Sequence, residues 1–264
     1  MKKILSLAMQ FVIVLSFTSQ LLSQTDLIPY HRYNREKNDF RWGYCDKNKN
    51  MIVPVKYDNA NPFSEGRALV NLGDKYGFID EKGNEVIPIK YDFGDDFIDG
   101  LARVRLNGKW GFIDKGGKEI VPVKYDTADV LRDGLAKVSL KDQWGLVNKE
   151  GLEVLPLEYV YIDNLNEGFY VAHNNLTCGL VDKNGKLLTE MIYYGFGPFV
   201  EGFAKAWIYH SGGFVNKDGK VVVPIKYDAS QNFHNGYAKV TVRYGKTGVE
   251  DGYIDLNGNE YWGE

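Results

Sequence analysis

Along much of the chain, apolar and polar residues follow a period of two. Ala136, Val138 and Leu140 alternate with Lys137 and Ser139, and Ala102, Val104 and Leu106 do the same 34 residues earlier. That alternation predicts a strand with one buried face. Runs of this kind begin after Gly66, Gly100, Gly134, Gly168, Gly202 and Gly236. A second pattern starts at Trp110 to Asp114, passes through Lys115-Gly116-Gly117 and resumes with apolar Ile120-Val121. Asp80, Asn148, Asp182, Asn216 and Asp255 likewise stand three residues before Gly83, Gly151, Gly185, Gly219 and Gly258. An Asp or Asn that accepts hydrogen bonds from turn amides, followed by a Gly able to take positive φ, predicts a β-hairpin. In the second strand of each hairpin a proline recurs, as Pro54, Pro88, Pro122, Pro156 and Pro224, with Thr189 in its place once. Proline has no amide to donate, so the strand cannot pair fully on both sides. The chain after it, Val123-Lys124-Tyr125-Asp126 for example, is expected to bend away from its hairpin.

These pieces form a repeat. Trp42-Gly43, Tyr76-Gly77, Trp110-Gly111, Trp144-Gly145, Cys178-Gly179 and Gly212-Gly213 follow one another at steps of 34 residues, and Asp251-Gly252 comes after 39. Self-similarity at such a period is the signature of a repeat architecture. The five extra residues fall around Tyr244 to Gly248, where a longer surface loop is expected. The organisation is then six repeats over residues 42–251, a half-repeat at 252–264 and an amino-terminal cap or partial repeat at 25–41. No segment has the composition of a linker, so a single continuous array is expected. The fold class is all-β, with tandem 34-residue β-hairpin repeats in a solenoid-like array. The alternative is a closed seven-bladed β-propeller with small three-stranded blades. In that arrangement the two chain ends would share a blade, since Leu27 to Tyr33 echoes Ile52 to Tyr57.

Lys109-Trp110-Gly111-Phe112-Ile113-Asp114 carries a recognisable signature. The chain resembles the WG-repeat family, also called the KWG repeat, over residues 42 to 264. The resemblance implies an exported or surface-associated bacterial repeat protein and transfers no catalytic residue.

Residues 1–24 read as a signal peptide, with Lys2 and Lys3 ahead of the apolar stretch Ile4 to Phe17, and Ser19 or Ser23 as small residues for cleavage. Its loss would leave 30 basic against 35 acidic residues. Both signs are interspersed throughout, which argues against nucleic acid, whose phosphates need a basic stripe. No later segment approaches the apolar length of a membrane span. The expectation is an exported protein, periplasmic, cell-surface or secreted, whose mature chain has no membrane span.

Candidate chemistry is sparse. His31, His173, His210 and His234 show no metal-ligand spacing, and neither a Gly-x-Ser-x-Gly elbow nor a phosphate loop occurs. Asp58, Asp92, Asp126 and Asp228 recur one per repeat beside Lys, which suits strand-end hydrogen bonding better than calcium. Cys45 and Cys178 replace structural residues four repeats apart and are expected as buried free thiols. No cofactor is implied. The fourth and fifth repeats depart from the pattern: where Asn71, Arg105 and Ser139 recur, they carry His173 and Trp207, and they add Tyr161, Tyr170, Tyr193, Tyr194 and Tyr209. His173, Tyr193, Tyr194, Trp207 and Tyr209 are therefore the candidate ligand-binding residues, because a repeat does not require residues that break its own pattern. The competing explanation is local repacking around the Trp lost at Cys178. The expected function is a non-enzymatic binding or scaffold module for a protein, peptide or glycan partner at the cell envelope. The alternative is a hydrolase acting on envelope polysaccharide, which would need a pair of carboxylates across a cleft.

Overall fold

The computed structural model describes residues 27–36, 38–245 and 248–263. The expected signal peptide lies outside the described residues. The chain forms two compact units, Met1–Val123 and Lys124–Glu264. The division falls inside a strand, Glu119–Tyr125, and not in a linker. Secondary structure is almost entirely antiparallel β, in seven small sheets among the described residues. The exception is a 3₁₀ turn at Asn166–Gly168. No helix among the described residues is long and apolar enough to cross a membrane.

Each regular sheet has four strands in sequence order. In the fourth sheet these are Thr127–Ala128, Leu135–Leu140, Gln143–Asn148 and Glu153–Tyr159. The last three are the alternating, signature and proline strands read from the sequence. The two-residue first strand is an addition to the three expected. A sheet therefore joins the end of one sequence repeat to the start of the next.

The proline strand behaves differently from expectation, and the difference explains the Gly of the Trp-Gly pair. The strand bulges and returns instead of bending away. In the fourth sheet Leu146 pairs with Leu155 and Trp144 with Tyr159, so Pro156, Leu157 and Glu158 stand opposite Gly145 alone. The bulged backbone lies directly over that glycine. A Cβ on Gly145 would sit 2.6 Å from the Leu155 carbonyl oxygen, and one on Gly77, Gly111 or Gly213 would sit 2.7, 2.6 or 2.5 Å from Ile87, Val121 or Val223. Only glycine admits so close an approach. Beyond the bulge the strand ends on a buried tyrosine, such as Tyr57, Tyr91, Tyr125, Tyr159 or Tyr227.

The turns follow the residue chemistry. Asp114 Oδ1 accepts from the amides of Gly116 and Lys118, and Asn148 Oδ1 accepts from those of Glu150 and Leu152. The turn glycine of one sheet packs on an aliphatic side chain of the sheet before it, as Gly117 does on Ile87 and Gly185 on Val154. Within each unit apolar clusters lie between neighbouring sheets. Leu69, Phe78, Ile87 and Tyr91 of the second sheet meet Ala102, Val104 and Ile113 of the third. In the second unit Leu180 and Tyr193 meet Ala204, Ala206 and Val215.

The chain ends differ from the composite blade considered above. Ile28–Asn34 pairs with the first signature strand, Asp39–Cys45, with His31 opposite Trp42. It thus takes the role of an alternating strand, not the proline-strand role that its echo of Ile52 to Tyr57 suggested. The seventh sheet draws its four strands from Ala229–Trp262 alone. The insertion before Asp251 lengthens a hairpin by the pairs Arg243–Val249 and Tyr244–Gly248.

Candidate functional site

Cross-strand registers align one residue from each strand into a row. In the fourth sheet the row is Thr127, Ser139, Trp144, Tyr159. In the fifth it is Tyr161, His173, Cys178, Tyr193, and in the sixth Gly195, Trp207, Gly212, Tyr227. The sixth sheet thus keeps an indole but carries it one strand earlier. Trp207 lies against Gly195: a Cβ there would collide with the indole, 2.7 Å from Cε2. Gly212, which replaces the signature Trp, has no such neighbour. The nearest atoms to a Cβ on it would be Ser230 Oγ at 3.5 Å and the Tyr227 carbonyl at 3.7 Å.

The space over Gly212 opens into a cleft of about 380 Å³ lined by Trp207, Tyr209, His210, Tyr227, Asp228 and Ala229, among others. Two small residues make it. Where the second and third sheets meet, the matching positions carry rings: Phe93, at the place of Ala229, sits 5.9 Å from Tyr76 and 5.4 Å from Trp110. Lys205 on the cleft wall donates through Nζ to the Ser230 carbonyl at 2.6 Å. Asp228 Oδ2 accepts from the Arg243 amide at 2.7 Å.

Tyr209 stands at the tip of the hairpin beside the cleft, 71% exposed and with φ of 51°. The equivalent tips use Gly73, Asn107 or Lys141. A bulky ring in the left-handed region is strained, and such strain tends to persist where a site needs it. Its ring lies 4.8 Å from that of Tyr194, whose amide donates to the Trp207 carbonyl.

Of the five candidates, Trp207 and Tyr209 line the cleft, and Tyr194 lies against Tyr209. Tyr193 is a correction. It is 5% exposed, packed on Phe196 at 4.8 Å, and cannot meet a ligand. It is the fifth sheet's copy of the buried tyrosine that ends each proline strand, and its spacing of 34 from Tyr159 and Tyr227 carried that signal. His173 is half-buried and belongs to the fifth sheet, stacked on Tyr161 at 4.0 Å with 13° between planes. Its Nε2 lies 3.3 Å from Asp163 Oδ2 without hydrogen-bond alignment. Burial holds its pKa below the usual imidazole value, against the opposing pull of Asp163. Beside Cys178, the stacked His173–Tyr161 pair agrees with local repacking. Tyr170 is buried in the core, and Ser139, which alternates with the apolar residues of its strand, is buried too. Sequence reasoning missed Gly212, Asp228, Ala229 and His210 as cleft residues. Their signal was the loss at 212 of the ring that recurs as Trp42, Tyr76, Trp110 and Trp144.

The repeated aspartates serve strand ends, as their spacing suggested. Asp58, Asp92 and Asp126 accept from the amides of Gly73, Gly108 and Lys141 at the tip of the next hairpin, at 2.5, 3.1 and 2.7 Å. Cys45 and Cys178 are buried free thiols, and burial pushes the pKa of Cys178 up to about 12.

The pattern described as WG containing repeat matches the chain six times, at residues 42–76, 76–110, 110–143, 144–175, 179–206 and 213–245. A comparison with curated proteins gave no match. Among solved structures, the chain is similar to Kluyveromyces lactis Hsv2, at 13% identity and a TM-score of 0.37, covering 86% of this chain and 81% of that one. A eukaryotic initiation factor matches at 10% identity and a TM-score of 0.34, covering 75% of this chain and 62% of that one, so this chain spans less than two thirds of its length. A protein of unknown function from Bacteroides caccae matches at 14% identity and a TM-score of 0.24, covering 89% and 91%.

Proposed function

We propose a binding function for this chain, which belongs to the family of WG-containing repeat proteins: it is a non-enzymatic, exported scaffold that holds a partner at the cell envelope through its sixth sheet. One observation carries this reading. The cleft over Gly212 is flanked by an exposed, strained Tyr209 and by Trp207, in a repeat whose regular members fill the same place with a ring. Concave sites lined by aromatic side chains with a few polar groups are the usual form of ligand pockets, and 380 Å³ falls within their range. Aromatic anchors also supply much of the energy of partner recognition. Export is supported by the leader-like residues 1–24, and the envelope setting by the resemblance of the repeat.

The partner is a protein, a peptide or a glycan. The mature chain, immobilised and exposed to envelope extract, is expected to retain a partner that the double variant Trp207→Ala, Tyr209→Ala loses. Equal retention by both would remove the site. Release of sugars from cell-wall glycans would favour a hydrolase instead; Asp228 is the one carboxylate among the cleft's lining residues.

A further inference from the structure

We infer that the cleft over Gly212 is a socket for an aromatic side chain, an indole or phenol ring, presented by a protein partner. The inference rests on the binding function proposed above and narrows it to one class of ligand.

The sister repeats supply the template. The place emptied at Gly212 holds an indole at Trp42, Trp110 and Trp144 and a phenol at Tyr76. There the ring is met by other rings or by cations: Trp42 lies 4.8 Å from His31, Tyr76 lies 5.9 Å from Phe93, and Trp110 lies 5.4 Å from Phe93 and 4.7 Å from the Arg103 guanidinium. Backbone around the slot is conserved in form, since Gly213 sits under the Pro224 bulge as Gly145 sits under that of Pro156. The sixth sheet therefore keeps the frame of a ring-binding slot and lacks its occupant.

The slot is not refilled from within. Trp207, which pairs with Gly212 on the adjoining strand, lies over Gly195, and the three atoms nearest to a Cβ on Gly212 belong instead to Ser230, Tyr227 and Ala206. Ala229 adds no second ring of the kind that Phe93 places beside Tyr76. What lines the opening is suited to a flat, weakly polar guest: the Trp207 and Tyr209 rings for its faces, and Asp228 as an acceptor for an indole N–H or a phenol O–H. The Lys205 ammonium is committed to the Ser230 carbonyl, so nothing in the lining calls for an anion. A glycan would also stack on aromatic rings, but the slot's dimensions are those of a side chain this fold already accommodates several times.

The test uses the mature chain labelled with nitrogen-15 and titrated with three probes: the peptides Gly-Trp-Gly and Gly-Leu-Gly, and a tetramer of N-acetylglucosamine. Gly-Trp-Gly is expected to shift the amides of Gly212, Ala229 and Ser230 saturably, with a Kd on the order of 1 mM for so small a ligand, and Gly-Leu-Gly to bind at least about tenfold more weakly. Gly212→Trp, which restores the regular signature, should abolish the response while the spectrum of the rest of the chain is kept. Should that variant fail to fold, Ala229→Phe closes the same opening from the other side and should do the same. Saturable shifts from the glycan alone would overturn the aromatic socket and leave a binding site for sugars. No saturable response from any probe would overturn the socket as well, and the capture experiment with Trp207→Ala, Tyr209→Ala would then decide the binding function separately.

Discussion

The fourth and sixth sheets share a strand order and a proline bulge, and differ in where they put an indole. In the fourth, Trp144 stands on the signature strand, opposite buried Ser139. In the sixth, Trp207 stands on the alternating strand between Gly195 and Gly212. The bulge and its glycine are the same in both: Gly145 and Gly213 each lie under the carbonyl of the residue before a proline. The backbone of this repeat is thus set by the Gly and Pro, whereas the Trp is a guest that can change strands. When it moves, the place it leaves need not close. The fifth sheet shows another outcome, because there Cys178 fills the signature position and His173 stacks on Tyr161 beside it.

The largest contrast should come from adding a single methyl group. Gly145→Ala forces a Cβ against the bulged backbone, where relief requires the strand itself to move, and should cost about 3 kcal/mol. Gly212→Ala meets nothing nearer than 3.5 Å and should change stability by no more than about 0.5 kcal/mol. Chemical denaturation of the two variants checks this, and similar losses would contradict the division of roles between the two glycines.

A smaller effect of opposite sign is expected at Tyr209. Replacing it with Asn, which tolerates the left-handed conformation as Asn107 does in the third sheet, should stabilise the chain by about 0.5–1 kcal/mol. The same change should weaken partner capture. A variant that gained stability and kept its partner would show that the Tyr209 ring is not part of the site.

The smallest effect concerns pH. Burial lowers the pKa of His173 in the folded chain, so between that value and the usual imidazole value of about 6.5 the unfolded chain binds more protons than the folded one. His173 is therefore fully accommodated above the usual value, and its contribution is lost as pH falls toward the folded one. From pH 7.5 to 5.5 the wild type should lose more of its Tm than His173→Gln does. Parallel slopes would place the imidazole in an environment no drier than solvent.

How much of this was readable in advance depends on the range of the interactions involved. Hairpins were legible because their turns are local: Asp114 and its two amide donors lie within four residues. The burial of Ala136 and Val138 followed from alternation alone. The course of the proline strand was not legible, because its return depends on Gly145 in the partner strand as much as on Pro156. Tyr193 was misplaced although its spacing was regular, because it lies in a stretch rich in other tyrosines. The opening over Gly212 depended on which way Trp207 leans, and only Gly195, two strands away from Gly212, reveals that.

The most direct test of the central claim is capture by Gly212→Trp, measured beside the wild type with the thermal unfolding of each. If the sixth sheet is a regular frame with its ring left out to make a site, the variant should unfold at the same temperature or higher and should retain no partner from envelope extract. A variant that folds as well and captures the same partner would contradict it.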